Sequence, residues 1–91
     1  MEFTWSPTKA DLNLRKHKVS FQEASTVFND PLSVTYPDPD HSMDENRFII
    51  IGLSQRNKVV VVSHTYTNNS TQIISARPAT RRERKFYEQG S

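Results

Sequence analysis

Apolar residues recur along this chain with two periods, and the change of period divides it. In the first third they fall three or four apart: Ala10 and Leu14, then Phe21, Ala24, Val27 and Phe28. That spacing gathers them on one face of a helix. From Leu32 onward they come in short consecutive runs bounded by turn residues. Leu32 to Tyr36, Phe48 to Ile51 with Leu53, Val59 to Val62, and Ile73 with Ile74 are rich in β-branched side chains and predict strands.

The boundaries are written in the polar residues. Met1 to Trp5 reads as a short edge strand with Phe3 and Trp5 on one side. Ser6 or Thr8 caps a first helix over Thr8–His17, and Pro7 suits its opening turn. Ser20 and Glu23 form the S-x-x-E capping box of a second helix, which Asn29, Asp30 and Pro31 stop. Strands are expected over Leu32–Tyr36, Arg47–Ser54, Lys58–Tyr66 and Thr71–Arg77. The polar loop Pro37–Asn46 and the turns Gln55–Asn57 and Thr67–Ser70 separate them. Short connections favour an antiparallel meander. The central strands are apolar at successive positions, so both sheet faces should be partly covered. Pro78 ends the last strand, and Thr80 with Glu83 opens a C-terminal helix through a T-x-x-E box. The expected architecture is α+β, one domain over residues 1–91, with two N-terminal helices, a four-stranded antiparallel sheet and a C-terminal helix.

Composition narrows the chemistry. Cysteine is absent, which removes disulfides and thiolate metal sites, and two glycines leave no glycine-rich phosphate loop. The N-terminus lacks a charged-then-apolar signal pattern and no apolar run is long enough to span a bilayer. A soluble cytoplasmic protein with no membrane partner is therefore expected. Formal net charge is only +2, but acidic residues gather between Asp30 and Glu45 while cations crowd both ends. That asymmetry points to an anionic partner. Arg77, Arg81, Arg82, Arg84 and Lys85 meet where the last strand passes into the last helix. Cations in a first helical turn oppose the dipole, at about 0.3–1 kcal/mol each. Arg81 and Arg82 thus suit an anion site better than stability alone, with RNA phosphate as the favoured anion.

RNA can be cut without a metal if three parts are present. A base takes the 2′-OH proton, cations stabilise the phosphorane, and an acid protonates the leaving 5′-oxygen. Arginine suits the middle task because its planar fork matches phosphate. Arg77 either presents its guanidinium to RNA or pairs with an acidic neighbour such as Glu83 or Asp38. Arg81 and Arg82 bind RNA or form a solvated face. Arg84 reaches the side of Arg81 or bridges to Glu88. His64, on the face of Val60 and Val62, is an acid–base group in a cleft or a satisfied core residue. Lys9, Asn13, Lys16 and His17 form one polar stripe on the first helix, a groove wall or a solvated side, and the helix dipole alone would explain His17. Tyr87 stacks on a base, donates a proton, or packs its ring with Phe86 against the sheet. The loop carrying Asp38, Asp40, His41, Asp44 and Glu45 lacks the glycine and spacing of an EF-hand. It reads as a mobile acidic segment or a partner for the basic corner. No metal and no cofactor are expected.

An ordered set of blocks resembles the BrnT toxin family, small ribonuclease toxins of type II toxin–antitoxin systems. The blocks are F-T-W with Lys9 and Asn13, K-H-K-V-S-F-Q-E-A at Lys16–Ala24, and V-F-N-D-P at Val27–Pro31. P-D-P-D-H-S at Pro37–Ser42, R-F-I-I-I-G at Arg47–Gly52 and I-I-S-A-R-P-A-T-R-R-E-R-K-F-Y at Ile73–Tyr87 complete it. The resemblance implies a RelE-like fold, translation arrest through RNA cleavage, and neutralisation by a BrnA-type antitoxin that binds DNA. DNA would be touched only through that partner. It also implies catalytic roles for His64, Arg77, Arg84 and Tyr87. Arg81, Arg82, Lys16, His17 and Lys9 are the expected RNA-binding residues beside them. The expected activity is metal-independent endoribonuclease cleavage that leaves a 2′,3′-cyclic phosphate. The alternative is a non-catalytic module that holds RNA or protein through the same cations. A repressor subunit that touches DNA itself has no helix-turn-helix spacing behind it.

Overall fold

The computed structural model describes residues 1–40 and 46–90. The chain forms β1 (Glu2–Thr4), α1 (Pro7–His17), and α2 (Phe21–Thr26), which a 3-10 turn (Val27–Asn29) continues. Then follow β2 (Val34–Pro37), β3 (Arg47–Leu53), β4 (Val59–Thr67), β5 (Ser70–Pro78) and α3 (Arg81–Glu88). The sheet order is β1-β5-β4-β3-β2. β2 to β5 make the expected antiparallel meander. β1 adds a fifth strand, running parallel to β5 with Phe3 opposite Thr71. The sheet is therefore mixed, which corrects the four-stranded antiparallel expectation. A parallel partner needs a long crossover. Here nearly the whole chain lies between β1 and β5, so nothing local to Met1–Trp5 reveals the pairing.

Local chemistry sets the helix starts. Ser6, Ser20 and Thr80 each accept a hydrogen bond from the backbone N–H three residues on, at 3.3, 3.0 and 3.2 Å. The box at Thr80 is complete, since Glu83 returns a carboxylate to the Thr80 N–H at 2.9 Å. At α2 only half of it forms. Buried Glu23 turns its carboxylate to the Ser54 hydroxyl at 2.7 Å, and Thr26 accepts from the Gln55 N–H at 2.9 Å. These bonds tie α2 to the β3–β4 turn. At Gly52 the approach is so close that a Cβ would sit 2.9 Å from both Ser33 Cβ and Val27 Cγ1. Any side chain there would push the 3-10 turn off the sheet.

Both sheet faces are covered, as the consecutive apolar runs require. Val19, Phe21, Ala24 and Val27 pack on Ile50, Val60, Val62, Ile73 and Ala76 on the α1/α2 side. Ile51, Val61 and Ala79 form a smaller cluster on the other side with Tyr36, Ile49, Val59 and Tyr87. The β4–β5 register skips Ile74: Ser63 faces Ser75, then His64 faces Ile73. This bulge lets Ile73 and Ala76, three apart, enter the same core.

Asn13 is the main departure on α1. It belongs to the polar stripe of the helix by spacing, yet it is 7% exposed. Its amide nitrogen donates to the Ala76 and Val19 carbonyls at 2.8 and 2.9 Å, and its Oδ1 accepts from the Ala76 N–H at 3.0 Å. β1 pairs only with Ser70 to Gln72, so β5 beyond it has an open edge. One primary amide supplies both halves of a ladder step there, matching groups that would otherwise be buried without partners.

α3 is docked by polar contacts more than by a core, because none of its residues is buried. Arg77 donates through both arms of its fork to Glu83, at 2.7 and 2.9 Å. The Tyr87 hydroxyl donates to Asp30, and Phe86 meets Tyr36 edge-on with ring centroids 6.5 Å apart. The Arg77 hydrogen bonds are the chief reason the Glu83 carboxyl falls from an ordinary 4.5 to about 2.

Two outcomes follow from this packing. Asn13→Ala leaves the Ala76 N–H and C=O unmatched and should cost about 1–3 kcal/mol in urea denaturation. An unchanged midpoint would mean that water or a shifted chain replaces the amide. A depressed carboxyl pKa stabilises fully above the unfolded value and loses its contribution as pH falls through the folded one. The stability gap between wild type and Glu83→Gln should therefore be constant above pH 4.5 and close toward about pH 2. Thermal melts across that range measure it.

Candidate nucleic-acid interface

Because Asn13 pins α1 to the edge of β5, the residues around it on the helix become a wall. Lys9 and Lys16 lie four back and three on from Asn13, and His17 ends the helix. Ile74 and Ser75, re-aimed by the bulge, form the opposite wall. Between them runs a groove of about 540 Å³, with Leu12 and Arg15 also lining it. A second hollow of about 330 Å³, lined by Lys9, Arg47, Thr65, Gln72 and Ile74, continues it across the sheet. Lys9 and Ile74 belong to both. Among the described residues neither lining contains an Asp or Glu. The nearby Asp11 pairs with Arg15 at 3.3 Å, where both side chains are exposed. The surface is cationic, concave and presented by rigid elements, which suits a phosphate backbone.

The other expected site residues lie elsewhere, and they do not converge. Arg77 adopts the second of its two readings, a two-pronged pair with Glu83, with 41% of its side chain exposed. Its fork is occupied, so it does not stand ready for phosphate in the way the sequence suggested. His64 is fully buried between the rings of Phe28 and Phe48. Its Nδ1 lies 3.3 Å from the Val62 carbonyl and its Nε2 lies 3.2 Å from the Tyr66 hydroxyl. Burial lowers its pKa, and the Val62 carbonyl only partly opposes that. His64 thus corrects to a core residue. Its strand face is the one on which the N-terminal elements pack, which leaves no opening to RNA.

Arg84 donates to the Ala79 carbonyl at 3.2 Å and lines a separate groove with Lys58, Tyr87 and Glu88. Tyr87 is held by Asp30, which also accepts from the Leu32 and Leu53 N–H groups at 2.9 and 2.8 Å. Burial, then the Asp30 hydrogen bond, pushes the Tyr87 phenol up to about 12, a poor setting for proton donation near neutral pH. Arg81 and Arg82 are exposed, and their side chains make no hydrogen bond or ion pair among the described residues. They keep both readings, a solvated face or a peripheral RNA contact. Of the expected RNA-binding set, Lys9, Lys16 and His17 come together.

Ile74, Ser75, Arg47, Thr65 and Gln72 were not singled out by sequence reasoning. Only the bulge and the cross-strand register bring them beside α1, and neither has a signature in the I-I-S run. His41, Asp44 and Glu45 of the acidic loop lie outside the described residues. Among the described residues no three His, Asp or Glu side chains gather as metal ligands, and no helix is long and apolar enough to cross a membrane.

The family model for the BrnT ribonuclease toxin of type II toxin–antitoxin systems matches residues 5–83. Among solved structures, the ribonuclease toxin BrnT of Brucella abortus superposes with a TM-score of 0.70 at 19% identity, covering 89% of this chain and 99% of that one. At that identity the likeness speaks for the fold: α+β, three helices and a five-stranded mixed sheet. Comparison with curated proteins finds no match. The family pattern runs through α1, α2, β2 to β5 and the start of α3, and the chain belongs to the BrnT family of ribonuclease toxins of type II toxin–antitoxin systems.

Proposed function

We propose that RNA lies in the groove between α1 and β5 and is cut there without a metal ion. The observation that carries this is the meeting of Lys9, Lys16 and His17 over Ile74 and Ser75, with no carboxylate among the described residues of the lining. The Lys9 and Lys16 ammonium groups offset the charge that grows on the phosphorane. The His17 imidazole takes the 2′-OH proton or returns one to the leaving 5′-oxygen, the role imidazole fills most often. Attack by the 2′-oxygen breaks the bond from phosphorus to the 5′-oxygen and leaves a 2′,3′-cyclic phosphate. Arg77, two residues beyond Ser75 on β5, keeps both arms of its fork on Glu83 and stands outside the groove lining, so its contribution is to hold the start of α3. Arg84 and Tyr87 hold α3 in place, and their contribution to cleavage is indirect.

A type II toxin has a protein antitoxin. A BrnA-type partner would neutralise this one by laying an acidic segment along the cationic groove, and DNA would be reached only through that partner. A RelE-like mode of action, arrest of translation in the cytoplasm, fits a ribonuclease of this kind.

Purified protein should cut RNA in EDTA and leave 2′,3′-cyclic ends. His17→Gln should slow that cleavage by roughly 10²–10⁴-fold with an unchanged melting temperature. Full activity in His17→Gln would remove the proton-transfer assignment, and loss of cleavage in EDTA would remove metal independence. Salt-sensitive RNA binding with no cleavage under any condition would favour the non-catalytic module.

A further inference from the structure

The second hollow has a chemistry that phosphate binding does not explain. Gln72 on β5, Thr65 on β4 and Arg47 on β3 are successive cross-strand partners. They form one row across the sheet, on the face opposite Phe48, His64 and Ile73. Lys9 stands at the Gln72 end of that row, and Ile74 supplies an apolar patch beside it. Thr65 has committed its hydroxyl proton to the Asn46 carbonyl at 2.8 Å. The exposed Gln72 side chain lines the hollow and makes no side-chain hydrogen bond among the described residues, so its amide offers a donor and an acceptor to a ligand there. At about 330 Å³ the space falls at the small end of ligand pockets.

From this arrangement we infer that the hollow is a nucleobase subsite in which Gln72 reads one base of the bound RNA strand. A primary amide pairs in two hydrogen bonds with the adjacent donor and acceptor of adenine, N6 and N7. Adenine, the usual two-bond partner of an Asn or Gln amide, is the base assigned to it. Ile74 lies under the base plane, and Lys9, common to both hollows, holds the phosphate between the read nucleotide and the groove. An anion groove alone would bind any sequence; this row gives the toxin its choice of site. The inference rests on RNA occupying the α1–β5 groove, and it concerns recognition rather than cleavage.

The test uses full-length protein and uncleavable 2′-O-methyl oligonucleotides of adenine, cytosine, guanine or uracil alone. Wild type should bind the adenine oligomer about tenfold more tightly than the others, the discrimination expected of one two-bond amide contact. Gln72→Ala should bring the four affinities together, while Lys9→Ala should weaken all four alike. Retention of the adenine preference in Gln72→Ala, or equal binding of all four by wild type, overturns the inference. A wild type that binds with base preference but leaves ordinary RNA intact would instead overturn the ribonuclease mechanism and keep the subsite. Melting temperatures confirm that each variant is folded.

Discussion

The hydrogen bonds between Asn13 and Ala76 are the constraint on which the rest of this structure turns. β1 is three residues long and leaves most of the β5 edge unpaired. Exposed strand edges must be paired, covered or blunted. Here one side-chain amide does it, with a donor to the Ala76 carbonyl and an acceptor for its N–H. The same amide nitrogen reaches the Val19 carbonyl and so anchors the chain between α1 and α2. Lys9, Lys16 and His17 then have a fixed orientation over the bulge at Ile74. Ala10 packs the same helix on the core, and the amide fixes its register against the strand edge.

The arginine corner illustrates the opposite case. Five cations between Arg77 and Lys85 draw attention in the sequence, and phosphate is a reasonable guess for their partner. Their charge is spent differently. Glu83 closes the capping box of α3 and, with the same carboxylate, takes both arms of the Arg77 fork. Arg84 points back to the Ala79 carbonyl, and Tyr87 reaches across to Asp30. These bonds serve a helix that buries none of its own residues. Exposed ion pairs are usually worth little. A two-pronged pair that also completes a cap is better placed, because ordering costs are shared between two roles.

Much of this was legible in the chain. The change of period after Phe28 separated helices from strands, the T-x-x-E box located α3, and the consecutive apolar runs anticipated a sheet covered on both faces. Even the two readings of Arg77 included the partner it takes. What could not be read were relations between distant residues. The parallel pairing of Phe3 with Thr71 depends on closure of the whole fold. The bulge that turns Ile74 and Ser75 toward α1 is one residue of register within an ordinary apolar run. Asn13 was grouped with the polar stripe of its helix, and spacing alone does not show that its amide meets two backbone groups at a buried strand edge. His64 looked like chemistry because histidine titrates near neutrality, yet its strand face was already committed to the core.

Where RNA sits is decided most directly by the salt dependence of its binding. Each phosphate contact on a single strand contributes about 0.7 to the slope of log affinity against log salt. Removing Lys9 and Lys16 together should lower that slope by about 1.4, whereas removing Arg81 and Arg82 together should leave it close to wild type. The reverse pattern, a slope that falls with the arginine pair and stays put without the two lysines, would place RNA on the α3 corner and contradict the groove.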